Sequence, residues 1–518
     1  MNSADATAGR YNAAVEFVDT KVDDGQGEKV AFIDRTRRMT YRQLLDRVRR
    51  VGPAFTKLGL RREERVLMFM LDTIDFPVVF WGAIRAGIVP VPVNTLLSVD
   101  QYRYIVEDSR SSLVVVSESL LPQLRSALSE VDRPVTVVVA SESDVLPGEV
   151  GLTGLLDASD GSGAPAETVA DEVAFWLYSS GSTGMPKGVK HVHSSLAATA
   201  RAFGQNVLQM RSDDVLFSAA KLFFAYGLGN SLTFPMFAGA TSVLMDERPT
   251  PQSVFAMMKR EQPTMFFGVP TLYAAILADE SCTPATGSQR LRRCVSAGEA
   301  LPEHIGREWE RRFGVEIIDG LGSTEMLHIF VSNVPGAVRY GTSGVPVPGY
   351  EARLLTEDGH DAETDEIGEL VVSGPSAAEG YWNQRAKSRA TFQGGWTHTG
   401  DKYTRDADGY YRYCGRTDDM FKVSGIWVSP FEVESALGSH PAVLEAAVVP
   451  WEDSDTLLKP KAFVVLKEGM HVQPGLEQSL KDHVKSEVGM WKYPRWIEFV
   501  ESLPKTATGK IQRYKLRK

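Results

Sequence analysis

The chain predicts an α/β fold in two parts: a large N-terminal domain of several α/β subdomains with a β-rich subdomain, and a small α+β C-terminal domain. Three observations predict it. Short apolar runs at 113–116 and 135–139 alternate with helical patterns, as in parallel sheets covered on both faces. From Gly344 the pattern changes to period-two alternation punctuated by glycine and proline, a β-rich signature. At 518 residues the chain exceeds what one hydrophobic core usually supports, so it should divide. The expected domains are 1–417 and 418–518.

The elements follow in order. Thr40-Tyr-Arg-Gln43 has the capping-box pattern, and Tyr41, Leu44, Leu45, Val48, Val51 and Phe55 recur at helical spacing, so a helix starts there. Residues 66–71 read as a strand, 75–86 as a helix closing at Gly87, and 88–93 as a second buried strand, a β-α-β unit. Residues 173–178 and Val189 read as buried strands flanking a loop. Residues 266–270 with a helix at 271–277, and 293–297 followed by Gly298-Glu299, repeat the strand-then-turn order that places ligand loops at strand ends. Residues 350–355 and 369–372 supply the β-rich part. Beyond it come a helix at 429–437, strands at 446–449 and 461–466, and a helix at 477–488.

Apolar residues make up 43% and charged residues 24%, as in ordinary globular enzymes. A net charge of -10 argues against nucleic-acid binding, which demands a basic surface. The three cysteines, Cys282, Cys294 and Cys414, have neither pairable nor metal-ligand spacing, which suits a reducing cytoplasm. Residues 1–9 lack the basic and apolar regions of a signal peptide. The most apolar segment, 76–93, is interrupted by Arg85, Gly87, Pro90 and Pro92, so no membrane span is expected.

The chemistry begins at Ser179-Ser180-Gly181-Ser182-Thr183-Gly184, followed by Lys187. Glycines let backbone N–H groups turn toward one anion, hydroxyls add donors, and the lysine adds a mobile charge, a combination that suits a polyphosphate. The spacing is not that of the Walker loop, because Pro186 stands five residues after Gly181 and Lys187 arrives too early after Gly184. Three further segments accompany the loop: Asp319-Gly-Leu-Gly-Ser-Thr-Glu325, then Thr399-Gly-Asp401 with Tyr413-Cys-Gly-Arg-Thr-Asp-Asp419, and Pro504-Lys-Thr-Ala-Thr-Gly-Lys510.

In this order, over residues 30–515, these segments resemble the adenylate-forming superfamily of acyl-CoA synthetases, luciferases and adenylation domains. Lys221-Leu-Phe-Phe-Ala-Tyr-Gly-Leu-Gly-Asn230 and Gly322-Ser-Thr-Glu-Met-Leu-His-Ile-Phe330 resemble the benzoate-CoA ligase branch. The resemblance implies ATP, Mg2+ and coenzyme A, and an aromatic carboxylate activated as acyl-AMP and then transferred to the thiol. It implies that Thr183 and its loop meet the β- and γ-phosphates, Thr324 the α-phosphate, and Glu325 the magnesium. Asp401 would accept from the ribose hydroxyls beside Arg416, while Gly298, Glu299, Asp319, Gly320 and Leu321 would line the adenine. Lys510 would bridge the acid carboxylate and the α-phosphate.

The same resemblance makes Asp418 a hinge about which a mobile C-terminal domain rotates, bringing Gly425 and Trp427 to the pantetheine arm. It lines the acid pocket with Phe224, Ala225, Tyr226, Gly227, Phe234, Gly322, His328 and Ile329. His328 has two readings: a partner for a ring hydroxyl or amino group, or a hydrogen-bonded wall residue. The tail around Lys510 resembles the context of lysine acetylation in bacterial acyl-CoA synthetases, which implies an acetyltransferase and a deacylase as partners; a homodimer stays open. Loading of an aryl acid onto a carrier protein, and luciferase-like oxygenation, are the alternative activities.

Overall fold

The computed structural model describes residues 9–141, 149–179, 185–417, 419–423, 426–453, 457–489, 492–505 and 511–517. Six of the predicted elements show how local chemistry carries through. Both halves of the capping box form at Thr40 and Gln43, starting the helix Tyr41–Lys57. Its apolar face, Leu44, Val48, Val51 and Phe55, is buried in the same core as Phe76, Phe80 and Trp81 of the helix Asp75–Arg85. Gly87 at φ 73° ends that helix, and the chain returns as the strand Val89–Pro92. This strand lies in a five-stranded parallel sheet beside Arg65–Phe69, Leu113–Ser117 and Thr136–Ala140, the apolar runs seen in sequence.

A second sheet, of nine strands, positions the site. Its parallel centre contains Val215–Ser218, Met265–Gly268, Arg293–Ser296 and Ile317–Gly322. The register sets Ser218 opposite Phe267, Gly268 opposite Ser296, and Ser296 opposite Asp319. The carboxyl ends of these strands therefore come level, and the loops that leave them converge. One edge is closed by the antiparallel strands Ile329–Ser332 and Val345–Pro346.

The β-rich part is an antiparallel sheet of Glu351–Leu355, Gly368–Ser373 and Trp396–Arg405, with Tyr411–Arg416 paired to the last. Thr399-Gly-Asp401, which alone could be a turn, lies inside the strand Trp396–Arg405 with Gly400 at φ 70°. The chain's last part builds a core of its own from Phe421, Val433, Leu437, Val448, Val464, Leu480 and Val484. Its hairpin Val443–Glu452 and Leu458–Leu466 runs longer than the expected 446–449 and 461–466, because the ladder continues through pairs that break the apolar run, Pro450 with Pro460, Trp451 with Lys459 and Glu452 with Leu458. All three cysteines are buried and free. Among the described residues no helix is long and apolar enough to cross a membrane.

Candidate active site

The strands Val173–Ser179 and Lys187–Val192 form an antiparallel hairpin that sets Ser179 opposite Lys187. Ser180, Gly181, Ser182, Thr183 and Gly184, which join them, lie outside the described residues, as do Asp418, Gly425 and Lys510. At the hairpin's end the Lys187 ammonium lies 2.9 Å from Glu325 Oε1 and donates to Tyr381 Oη at 2.7 Å. Tyr381 in turn donates to Glu325 Oε1 at 2.8 Å. Burial works to raise the Glu325 pKa, but the charge of Lys187 and hydrogen bonds from Lys187 and Tyr381 outweigh it and hold the carboxyl below its usual 4.5. Ser179 Oγ is buried with no protein partner among the described residues. The site thus holds a carboxylate, an ammonium and a buried hydroxyl at one loop mouth.

Thr324 and Glu325 follow the strand Ile317–Gly322, whose tight exit needs Gly322: a Cβ there would sit 2.7 Å from the His328 carbonyl oxygen. The turn is tied to the hairpin by His191, whose Nε2 lies 2.8 Å from the Thr324 carbonyl. His191 is fully buried and stacked on Phe175 at 5.3 Å, and burial pushes its pKa down to about 4, so it is neutral and donates. Asp319, Gly320 and Leu321 stand on the same strand, beside Gly298 at the next strand end with φ 96°. Asp319 is buried, and desolvation pushes its carboxyl up to about 8 against the pull of the Leu301 backbone N–H. Sequence reasoning treated it as an ordinary lining carboxylate; burial makes it a proton-holding one.

Three residues beyond Glu325 comes His328, inside an aromatic box. Its ring is 4.4 Å from Phe234, 5.4 Å from Phe203 and 5.7 Å from Tyr226. Phe224 caps the short helix Ala225–Leu228 and meets Phe223 edge to face at 4.5 Å. The Tyr226 hydroxyl is engaged with the carbonyls of Gly268 and Val295, so this residue offers its ring rather than its hydroxyl. Gly227 lies where any Cβ would meet the Lys221 carbonyl oxygen at 2.1 Å, which makes it a packing glycine of the loop. Ala225 and Ile329 are buried beside the box.

Asp401 and Arg416 face each other across adjacent strands, with Arg416 Nη1 3.0 Å from Asp401 Oδ1. Trp427, on the strand Ile426–Val428, carries the Lys422 ammonium 4.5 Å above its ring, and Lys422 reaches Glu357 at 3.2 Å. Glu299 is half-buried. Three residues of the site escaped sequence reasoning: Tyr381, His191 and Phe203. Tyr381 had a signal in Gly380-Tyr-Trp382, an aromatic pair after a glycine; the other two are known only by their neighbours.

A model of the AMP-binding enzyme family matches residues 19–382, and one of the AMP-binding enzyme C-terminal domain matches residues 432–510. The chain belongs to the AMP-binding enzymes. Within them it falls in the aromatic acid:CoA ligase branch. It is 57% identical over 508 residues, 98% of this chain and 94% of the relative, to the 4-hydroxybenzoate–CoA/benzoate–CoA ligase of Rhodopseudomonas palustris. It is 55% identical over 510 residues, 98% and 96%, to the benzoate–CoA ligase of Thauera aromatica. The solved benzoate CoA ligase of Burkholderia xenovorans LB400 has a TM-score of 0.91 at 48% identity, covering 98% of this chain and 100% of that one. An anthranilate CoA ligase solved with anthranoyl-AMP has a TM-score of 0.94 at 41% identity, covering 100% and 98%.

Proposed function

We propose that this chain is an ATP-dependent ligase that activates benzoate or a hydroxy- or amino-substituted benzoate as the acyl-AMP and passes the acyl group to coenzyme A. One observation carries the reading: the turn that pairs Glu325 with Lys187 continues within three residues into the aromatic box around His328. A polyphosphate-binding end and a ring-binding end thus meet on one strand exit.

In the first half-reaction a carboxylate oxygen attacks the α-phosphorus, an O–P bond forms, and the bond to pyrophosphate breaks. Two anions must approach, so charge neutralisation is the main task. Lys187 supplies a cation at the loop mouth, and Lys510 supplies another between carboxylate and α-phosphate. Glu325, held as a carboxylate, would hold a magnesium ion that arrives with the nucleotide. When bound, magnesium supplies further neutralisation of the phosphates. Asp401, held by Arg416, accepts from the ribose hydroxyls. Asp319 and the neighbouring strand ends enclose the adenine, and His191 keeps the Thr324–Glu325 turn in place.

In the second half-reaction the thiol attacks the acyl carbonyl, a C–S bond forms, and AMP leaves. Rotation about Asp418 exchanges Lys510 for the segment containing Gly425 and Trp427, whose indole gives an apolar wall to the pantetheine arm. The cytoplasm, where the buried thiols stay reduced, fits this chemistry. CoA-dependent AMP formation across benzoate, its hydroxy and amino derivatives, cinnamate and octanoate tests the reading. Benzoate-sized acids should exceed octanoate in kcat/KM by at least about tenfold, which needs only ~1.4 kcal/mol of differential binding. Comparable values for octanoate would overturn the aromatic assignment, and adenylate formed but not passed to free CoA would favour a carrier-loading enzyme.

A further inference from the structure

A buried carboxylate stands where the five-stranded sheet meets the segment that leads to the acid box. Asp72 follows the strand Arg65–Phe69, precedes the helix Asp75–Arg85, and is buried. Its own turn is held on both sides: the Leu71 N–H donates to Ser117 Oγ at 3.0 Å, and the Ile74 N–H to Asp34 Oδ2 at 3.1 Å. From 150 positions further along the chain, the Leu222 N–H donates to both Asp72 oxygens, at 3.2 and 3.1 Å.

Burial pushes the Asp72 carboxyl up to about 6, with Lys221 and the Leu222 N–H pulling it back and Asp246 adding to the rise. Burying such a group costs free energy that an apolar residue of the same size would not. What it holds is one peptide unit. The N–H of the Lys221–Leu222 peptide goes to Asp72, and the carbonyl of the same peptide accepts the Phe224 N–H at 3.0 Å. A peptide is planar, so fixing its N–H fixes its carbonyl. Gly227 rests on that carbonyl as well, since a Cβ there would lie 2.1 Å from the Lys221 oxygen. Phe224 caps the helix Ala225–Leu228, which contains Tyr226. The Lys221 ammonium is engaged with the carbonyls of Met245 and Glu247, so the hydrogen bond of Asp72 to this segment is to its backbone.

Resting on the aromatic-acid reading, we propose that Asp72 is a positioning residue for the acid: by orienting the Lys221–Leu222 peptide it sets Phe224 and Tyr226 against the aromatic ring, acting through that peptide and not on the ligand. The Lys187–Glu325 pair is held by Tyr381 instead, so the two ends of the site should respond separately. Asp72→Leu, similar in size and without an acceptor, should raise KM for benzoate by at least about tenfold, the effect of a buried N–H left unpaired, with KM for ATP little changed. Asp72→Asn keeps a carbonyl oxygen for the N–H and should hold KM for benzoate within about threefold of wild type.

Because an unpaired buried N–H can also unfold a chain, Asp72→Ser is the second variant: it leaves room for a water to take the N–H, a looser acceptor than the carboxylate. It should fold and still raise KM for benzoate more than Asp72→Asn does. Hydrogen exchange adds a readout independent of turnover: residues 219–224 should exchange faster in Asp72→Ser than in wild type, while the strand Met265–Gly268 is unchanged. The proposal is overturned if KM for benzoate and KM for ATP rise together, if Asp72→Ser leaves KM for benzoate at the wild-type value, or if Asp72→Asn loses as much as the variants without a carbonyl. Each of those results leaves the aromatic-acid reading standing, whereas no AMP formation by the wild type with any benzoate would remove that reading and this proposal with it.

Discussion

Glu325 shows how much one buried charge depends on its neighbours. Its carboxyl is held below 4.5 only because Lys187 and Tyr381 outweigh burial. A carboxylate with a depressed folded pKa contributes stability that is present above its unfolded value and lost as the pH falls through the folded one. Lys187→Met removes the strongest opposing partner, so burial should raise the Glu325 pKa and shift the acid limb of kcat/KM to higher pH. Tyr381→Phe, losing one hydrogen bond of about 1 kcal/mol, should shift it less and in the same direction. An acid limb unmoved in both variants would show that another group titrates there. Asp319 works with the opposite sign. Its folded pKa, about 8, lies above the ordinary 3.8, so its contribution is complete below that value and is lost as the pH rises toward 8. Thermal unfolding of wild type should therefore weaken over that interval relative to Asp319→Asn, which cannot ionise; parallel curves would refute the buried carboxyl's role.

At the level of elements, the acid box depends on how closely the segment 225–234 approaches the turn carrying His328. Gly229 is the point of contact. A Cβ there would lie 2.3 Å from His328 Cδ2 and 3.0 Å from Phe234 Cζ, distances that two packed rings cannot absorb without moving. Gly229→Ala should raise KM for the aromatic acid by about tenfold or more while KM for ATP changes little, because the residues proposed for the nucleotide lie at other strand ends. A matching rise in both would mean that the segment supports the whole site. The capping box of Tyr41–Lys57, the glycine stop at Gly87 and the apolar parallel strands were legible because each is specified by residues within one turn or one strand. The Gly229 contact was not, since it joins residues about a hundred positions apart, and in sequence Gly229 is merely one glycine of Gly-Leu-Gly.

For the molecule as a whole, the working hypothesis is one active site served by two arrangements of a small domain with its own core. Lys510→Ala should then reduce overall ligation by roughly a hundred- to a thousandfold, the range for losing one preorganised donor at a developing charge. The loss should fall on adenylation. Given pre-made acyl-adenylate, the variant should transfer to CoA at close to the wild-type rate, and rapid-quench measurement of the two halves separates them. Equal damage to both would refute the exchange of domains.

By itself the sequence determined the α/β architecture, the order of its elements and the polyphosphate chemistry, because periodicity, caps and motif spacing are local and survive without neighbours. It also placed Lys187, Thr324, Glu325, Asp401 and Arg416 in one chemical scheme through their resemblance to a family. Tertiary structure alone decided which charges stay ionised and which donors are spent. Glu325 is a low-pKa carboxylate and Asp319 a high-pKa one, yet both are acidic residues of one short motif. The Tyr226 hydroxyl is consumed by two strand-end carbonyls, whereas His328 Nδ1 has no partner among the described residues. Such differences come from desolvation and from partners far away in the chain, which no pattern of residue types records.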